Sequence, residues 1–330
     1  MTAPWVAPEE KPFKSGFRHA LQRRVKDVKV ATRQQTFELP LQQVDVAPVN
    51  LAAVVRRMNA TTKRRFDEIW FTVGTPPPLP LMEPKQKLFG GDAQALFDAN
   101  ILELADDTPT AGWFKPFTVV EEKESGWRRR FIAWTEAKNT SDYYEPEVPL
   151  THISNHLAAV HEKDAATIDL KASFFQLPLP QEWRCLFRCR TADGRLVQMT
   201  RLPMGYRVSP EILHTVTRVL AGDPEVVQPQ FACDAALQLT VWIDNVRAVG
   251  DSERVRAWFH RTLQNAASVG ATVGESCVGS PVHNFLGVRF DHEHRTVSMG
   301  EKFLRHRKET PRWSAMTVFS LLRILFLMKA

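Results

Sequence analysis

The stretch LQLTVWIDNVRAVG, residues 237–250, predicts two short strands joined by a tight turn, with Asp244 and Asn245 at the bend. Both strands are apolar, which indicates that they belong to a core. Burying a carboxylate is costly unless a partner or a metal ion compensates its charge. The ordinary alternative is a turn aspartate that bonds to its own backbone. Asp244 is therefore a candidate site residue whose role depends on the rest of the chain.

A second acid ends another apolar stretch, AATIDL (165–170), which predicts a short strand finishing at Asp169 and Leu170. Acids at the ends of adjacent strands can share a divalent cation. Mg²⁺ favours a few carboxylate oxygens and keeps other positions open for substrate phosphates. Two-metal sites hold their ions about 3.5–4 Å apart and serve both the attacking and the leaving oxygen. Asp169 and Asp244 are the candidate ligands for such a site.

The composition limits the class of protein. The chain has 330 residues, 44% of them hydrophobic, so it can bury a core, and its net charge of +6 suits a polyanionic partner without identifying one. Its four cysteines form no C-x-x-C pair, which argues against structural zinc and favours reduced, intracellular thiols. The first residues lack the apolar core of a secretory signal, and the apolar run 318–328 is too short to cross a bilayer. We therefore expect an intracellular protein, nuclear or cytoplasmic, without membrane insertion.

Strand and helix signals alternate along the remainder of the chain. Caps and apolar spacing predict helices from Asp92 to about Leu104, from Ser209-Pro210 to Gly222, and from Asp251 to about Ala267. Turn residues predict a strand pair over 117–134, a hairpin over 184–205 with Asp193-Gly194 at its bend, and a last strand over 284–290. Strands paired locally and interleaved with helices predict an α+β fold.

Five of these segments, in this order, resemble motifs of reverse transcriptases. KESGWRRRFIAW (123–134) resembles the fingers hairpin, DLKASFFQLPL (169–179) the first palm motif and RLPMGYRVSPEI (201–212) the second. WIDN (242–245) lies where that family has aromatic-x-Asp-Asp, and HNFLGVRF (283–290) resembles the strand at the base of the thumb. The resemblance covers residues 92–300 or so. It is nearest to retroelements with long terminal repeats or tyrosine recombinases, including vestigial trypanosomatid elements of the latter type.

The resemblance implies a right-hand polymerase palm, an antiparallel ferredoxin-like sheet backed by helices, with fingers and only the start of a thumb. Residues 1–80 would be a basic extension with a Pro-rich linker, 81–300 the fingers and palm, and 301–330 a truncated thumb-like segment. The implied activity is RNA-directed DNA polymerisation, in which a primer 3′-hydroxyl attacks a dNTP with two Mg²⁺ or Mn²⁺ ions bound. The implied partners are an RNA/DNA primer–template and dNTPs, and the oligomeric state is left open.

The resemblance also implies a role for particular residues. Asp169, Asp244 and Asn245 are the catalytic positions, and Asp169, Asp244 and the Leu170 carbonyl are the metal ligands. The expected nucleotide contacts are Lys123 and Arg129 to the triphosphate, Phe174 under the sugar, and Met204 and Gly205 in the floor. The expected nucleic-acid contacts are Trp242, Leu286 and Gly287.

Three departures from the family pattern share one direction, the loss of charge. Asn245 replaces a second aspartate, Ser276 lies about where a lysine is thought to protonate the leaving pyrophosphate, and Ala133 stands where an aspartate is frequent. We also expect no RNase H segment to follow. A truncated, catalytically inactive remnant that keeps the palm and binds nucleic acid therefore stays open as an alternative. So does a folded domain without any nucleic-acid role.

Overall fold

The structure, a computed structural model, describes residues 39–78, 82–123 and 126–300. Residues 39–42, 118–123 and 126–131 form one compact unit, unit 1, and the other described residues form a second, unit 2. Residues 1–38 of the expected basic extension, which spans residues 1–80, lie outside the described residues. The expected thumb-like segment 301–330, with the apolar run 318–328, lies outside them too.

Six helices and twelve strands are labelled here in chain order. The helices are α1 Leu51–Val55, α2 Ala60–Gly74, α3 Gly90–Asp98, α4 Glu136–Ser141, α5 Ser209–Ala221 and α6 Ser252–Ser268. The first six strands are β1 Leu102–Leu104, β2 Lys115–Lys123, β3 Gly126–Trp134, β4 Asp164–Leu170, β5 Arg188–Arg190 and β6 Leu196–Met199. The others are β7 Gln238–Trp242, β8 Asn245–Gly250, β9 Val273–Val278, β10 Val282–Phe285, β11 Val288–Asp291 and β12 Thr296–Met299.

The central sheet of unit 2 has four strands in the order β7-β8-β4-β9, and every pairing is antiparallel. Along the chain its parts run β4, α5, β7, β8, α6, β9. This is the split β-α-β arrangement of ferredoxin-like folds, with β4 and β8 in the middle of the sheet. The predicted α+β fold, an antiparallel sheet backed by helices, is confirmed.

One face of this sheet packs on helices α5 and α6. Successive side chains of a strand point to opposite faces, so alternate residues of each strand enter the core. The core side chains are Ala166 and Ile168 of β4, Val246 and Ala248 of β8, and Val255, Trp258 and Phe259 of α6. The Trp258 indole also donates to the carbonyl of Ala221 at 2.9 Å, which joins the two helices. Asp169 of β4 and Asn245 and Arg247 of β8 lie on the opposite face.

The helix ends test the predicted caps. Asp251 caps α6 as expected, since its carboxylate accepts from the backbone N–H of Glu253 at 3.1 Å. The predicted Ser209 cap of α5 is wrong, because the Ser209 hydroxyl donates to the carbonyl of Pro203 at 2.8 Å and Val208 occupies the cap position. Gly222 closes α5 with φ +74°, as expected for a glycine in the left-handed region.

The helix predicted over 92–104 begins earlier, at Gly90, and ends earlier, at Asp98. Asn100 adopts φ +53°, and the N–H of Ile101 donates to the carbonyl of Leu96 at 2.9 Å. This is the hydrogen bond of a Schellman motif, which stops a helix. The residues after it, Leu102–Leu104, form strand β1 instead.

The last predicted strand, 284–290, is also wrong, because the chain reverses in its middle. Leu286 and Gly287 have φ +51° and +78°, and they join β10 to β11 in a tight hairpin. Two consecutive residues with positive φ are what a type I′ hairpin turn requires. The hairpin predicted over 184–205 is confirmed with shorter strands, β5 and β6, and with Asp193-Gly194 in its turn. The strand pair predicted over 117–134 is confirmed as β2 and β3.

Two further findings concern the described residues as a whole. None of their helices is long and apolar enough to span a membrane. All four cysteines are free thiols.

Candidate active site at the end of the central strands

The two central strands bring Asp169 and Asp244 together. Asp169 of β4 lies directly opposite Asn245 of β8, and the Leu170 N–H donates to the carbonyl of Asp244 at 3.1 Å. Neighbouring strands lie about 5 Å apart, so the two carboxylates share one end of the sheet. The sequence predicts that Asp169, at the end of a strand, and Asp244, at a hairpin bend, meet. The register brings these two positions to the same end of the sheet.

The turn that carries Asp244 is one residue earlier than predicted. Asn245 already pairs with Trp242 as the first residue of β8, so the two turn residues are Ile243 and Asp244. Ile243 is buried and has φ +54°. A β-branched residue there is unusual, and such strain, of order 1–3 kcal/mol, persists only where the surroundings hold it in place.

Both oxygens of Asp244 accept hydrogen bonds. The Ser173 hydroxyl donates to Oδ2 at 2.8 Å, and the Asn245 side-chain amide donates to Oδ1 at 2.9 Å. Ser173 is 4% exposed, so its bond is sheltered from water. A second aspartate at position 245 has no such donor and would place another anion beside Asp244. The asparagine therefore orients the carboxylate that the turn presents.

Asp169 lies against a bulge in β9. Ile168 pairs with Ser276 and Leu170 with Val273, so Gly274 and Glu275 together face the single residue Asp169. A Cβ on Gly274 would lie 3.2 Å from Asp169 Oδ2 and 3.3 Å from the backbone N of Lys171. Bulges commonly re-aim a side chain beside a functional site. This glycine leaves the space that the Asp169 carboxylate uses.

The loop after Asp169 is fixed by Gln176. Its side-chain amide donates to the carbonyls of Lys171 at 2.6 Å and Thr272 at 2.8 Å, and its Oε1 accepts from the Thr272 N–H at 2.7 Å. This buried bridge joins the loop that carries Ser173 to the chain just before β9. Phe174, expected under the nucleotide sugar, is 6% exposed in this loop. Its contact with a sugar stays a prediction.

The turn with Met204 and Gly205 is attached to β3. The Ala133 N–H donates to the Met204 carbonyl at 2.8 Å, and the Asn139 side-chain amide donates to the Gly205 carbonyl at 2.8 Å. Gly205 has φ +117°, and a Cβ there would lie 2.8 Å from the Ala133 carbonyl oxygen. Glycine is therefore needed for this contact within the protein. The expected contacts of Met204 and Gly205 with a nucleotide remain predictions.

Three other predicted residues lie at separate places in unit 2. Trp242 is buried at the end of β7, opposite Asn245. Leu286 is half-buried and Gly287 exposed at the tip of the β10–β11 hairpin. Their expected contacts with nucleic acid stay predictions.

Lys123 and Arg129 belong to unit 1. Arg129 is buried there, its Nε donating to the Leu39 carbonyl at 2.8 Å and its N–H to the Pro40 carbonyl at 2.8 Å. Lys123 is the last residue of β2. The β2–β3 hairpin is thus hydrogen-bonded to residues 39–42 through Arg129. The expected contacts of Lys123 and Arg129 with a triphosphate stay predictions.

The donor set suits a hard divalent cation. The described residues contain no group of three or more His, Cys, Asp or Glu side chains that could hold a metal ion. Two carboxylates at one sheet end, with space left by Gly274, are instead the small set of oxygen ligands that Mg²⁺ or Mn²⁺ accepts while keeping positions open. The expected Leu170 carbonyl ligand adjoins them.

Sequence reasoning missed several residues that shape this site, among them Ser173, Gln176 and Gly274. Ser173 and Gln176 flank two phenylalanines, and polar residues in an apolar run were the available signal. Gly274 gave a weaker one, a glycine in a strand, which is frequently the mark of a bulge.

Comparisons with known proteins support the fold. The foamy viral protease–reverse transcriptase dRH, solved in complex with double-stranded DNA, matches with a TM-score of 0.55 and 14% identity, over 83% of this chain and 51% of that one. A second foamy viral protease–reverse transcriptase structure with double-stranded DNA matches with a TM-score of 0.53 and 14% identity, over 87% of this chain and 63% of the other. The chain thus spans about half the length of the first of these proteins. No family model and no curated protein matches the sequence. The fold is that of a reverse transcriptase polymerase domain.

Proposed function

We propose that this chain is the RNA-directed DNA polymerase domain of a retroelement. The observation that carries the proposal is the pair Asp169 and Asp244 at one end of adjacent central strands, in a reverse transcriptase-like fold. The primer 3′-hydroxyl attacks the α-phosphate of a bound dNTP and releases pyrophosphate. In the proposed site Asp169 and Asp244 are the metal ligands.

Residues beside the two acids support this chemistry because they orient the Asp244 carboxylate. Ser173 and Asn245 each hold one oxygen of Asp244, so the carboxylate keeps a fixed direction before any ligand arrives. Preorganised charge of this kind spares the reorganisation that would otherwise accompany the reaction. Two Mg²⁺ or Mn²⁺ ions held there would stabilise charge on the attacking and leaving oxygens.

A primer–template is the partner that the proposed polymerase function requires. Foamy viral reverse transcriptases of this fold were solved with double-stranded DNA, which supports a primer–template as the partner here. A net charge of +6 agrees with a polyanion. The order and spacing of the five sequence motifs support a retroelement with long terminal repeats or a tyrosine recombinase as the source.

One observation supports the alternative of an inactive remnant. Ser276, about where the family has a proton-donating lysine, is an exposed residue of β9. General acid catalysis typically contributes about 10²–10⁴-fold, so its loss alone would slow the reaction without removing it. The two metal-ligand positions are kept, and we therefore favour the active polymerase.

The test is extension of an oligo(dT) primer on poly(rA) by the full chain with dTTP and either Mg²⁺ or Mn²⁺. We expect that the wild type extends the primer and that Asp169→Asn abolishes this extension. Asp107→Asn, which changes an exposed acid well before Asp169 in the sequence, should leave it unchanged. Absence of extension with both ions at high protein concentration would overturn the polymerase. A rise in melting temperature with Mg²⁺ plus dTTP, lost in Asp169→Asn, is the matching binding signal.

A further inference from the structure

Arg247 is a buried cation on the sheet face that points away from α5 and α6. It follows Asn245 by two residues in β8, so both side chains lie on the same face. Arg247 is 1% exposed, yet no carboxylate in the described part of the chain forms an ion pair with it. Burial lowers the pKa of its guanidinium to about 10. Something other than a counter-charge must therefore hold it there.

Two phenylalanine rings of the β10–β11 hairpin take that role. The Arg247 Cζ lies 4.5 Å from the ring centroid of Phe285 and 4.7 Å from that of Phe290. A planar guanidinium can stack on aromatic faces, and such contacts strengthen when water is excluded. Phe285 is in β10 and Phe290 in β11, so the Arg247 side chain packs against both strands of the hairpin.

The stack continues beyond Phe290. The His283 ring lies parallel to Phe290 at 5.1 Å between centroids, and His292 stacks on His283 at 5.1 Å. Further bonds reach the 3₁₀ helix Ile153–His161 and the residue after it. Arg247 Nη2 donates to the His156 carbonyl at 3.3 Å, and His292 Nδ1 lies 2.9 Å from the Glu162 carbonyl.

The two histidine rings extend the cluster to the residue after the 3₁₀ helix. A carbonyl only accepts, so His292 Nδ1 must donate to Glu162. Its Nε2 lies 3.3 Å from His283 Nδ1. His283 Nε2 is buried near the Arg247 guanidinium. Neither it nor Arg247 Nε and Nη1 has a hydrogen-bond partner among the described residues. Stacking on the two phenylalanine rings, and not a full set of hydrogen bonds, therefore holds the arginine in place.

We propose that Arg247 is a positioning residue that ties the β10–β11 hairpin, with Leu286 and Gly287 at its tip, to strand β8, which begins at Asn245 directly after Asp244. The proposal rests on the proposed polymerase function, in which Leu286 and Gly287 at this tip contact nucleic acid. Because one side chain spans the hairpin and β8, it sets where the tip lies relative to the metal-ligand end. Loss of the stack should loosen the hairpin and leave the two acids in place.

The first test is independent of activity. Hydrogen–deuterium exchange is measured on the full chain for wild type, Arg247→Met and Arg247→Lys, with Arg289→Lys on the exposed side of β11 as control. We expect faster exchange in residues 282–291 for both Arg247 variants and unchanged protection in residues 164–170. Unchanged exchange in residues 282–291 of a folded Arg247→Met protein would overturn the proposal.

The second test uses a fluorescein-labelled primer–template and steady-state extension. Arg247→Lys keeps the charge and loses the planar stack, so we expect its KM for primer–template to rise about tenfold, with kcat within about twofold of wild type. Arg289→Lys should match wild type in both. A fall in kcat at unchanged KM would contradict a positioning role. Absence of extension by wild type would instead overturn the polymerase, and the exchange experiment would still decide on the hairpin.

Discussion

The side-chain amide of Asn245 donates to Oδ1 of Asp244 at 2.9 Å, at the end of the sheet where Asp169 also lies. The sequence alone marks position 245 as a lost charge. In the structure it is a gained donor, which together with Ser173 leaves neither oxygen of Asp244 free of a hydrogen bond. The turn thus presents one oriented carboxylate instead of two that repel each other.

Asn245→Asp should lower the stability of the metal-free protein and should increase the stabilisation that Mg²⁺ provides. The substitution removes a donor and adds an anion beside Asp244. We therefore expect a loss of about 1–2 kcal/mol in the free energy of unfolding without metal. With Mg²⁺ present we expect a larger rise in melting temperature than for wild type. A variant whose melting temperature responds to Mg²⁺ no more than wild type would show that charge at 245 does not reach the cation.

Ser173→Ala should weaken cation binding in a protein that is less stable but still folds. The hydroxyl bond to Asp244 is one neutral-donor bond to a charged acceptor, worth about 1.5–3 kcal/mol at most. We expect a several-fold weaker Mn²⁺ affinity in a titration followed by electron paramagnetic resonance. Ser298→Ala, on exposed β12, is the matched control. Equal affinities for the two variants would remove Ser173 from the site.

Gly274→Ala tests the space beside Asp169. The new methyl would lie 3.2 Å from Asp169 Oδ2 and 3.3 Å from the Lys171 N, tighter than ordinary contacts. We expect a folded protein with Mn²⁺ affinity reduced about tenfold, because the carboxylate must turn away. Gly90→Ala is the control, since a Cβ there would meet no atom within 4 Å. A Gly274→Ala protein that binds Mn²⁺ as wild type does would show that Asp169 needs no such space.

Acid should destabilise the fold through two buried histidines. Burial, and then the nearby Arg247 and His292, lowers the pKa of His283 to about 3, and burial, with Arg218, lowers that of His214 to about 4. The unfolded chain binds these protons at about pH 6.5, so their contribution is fully present above that pH and is lost as pH falls toward the folded values.

The measurement is urea unfolding between pH 5 and pH 8. Each group can add a slope of up to about 1.4 kcal/mol per pH unit below pH 6.5. His283→Phe keeps an aromatic ring against Phe290 and cannot titrate, so its slope should be shallower by about one proton. A wild-type free energy of unfolding that stays flat from pH 8 to pH 5 would contradict both assignments.

Much of the fold was readable from local patterns. Strand β4 follows from the short apolar run 165–170, and helix α6 follows from its apolar spacing and the Asp251 cap. Asp169 stood out because it ends that run, and Asp244 because it lies at a bend within another apolar run. Other features depend on partners distant in sequence. Ile243 is a poor choice for a tight turn by local rules, and only its buried surroundings keep it there.

The same contrast applies to the functional side chains. Arg129 reads locally as part of an exposed basic hairpin, yet residues 39 and 40 hold its side chain and backbone. The stack on Arg247 joins β8 to residues about 40 positions later, and its signal in sequence is no more than an arginine in an apolar strand.

The central claim is that Asp169 and Asp244 act on a common cation, and Mn²⁺ titration of the full chain by electron paramagnetic resonance tests it most directly. We predict that wild type binds Mn²⁺ and that Asp169→Asn and Asp244→Asn each lose this binding, while Asp107→Asn retains it. Retention of wild-type stoichiometry and affinity by either Asp169→Asn or Asp244→Asn would contradict the claim.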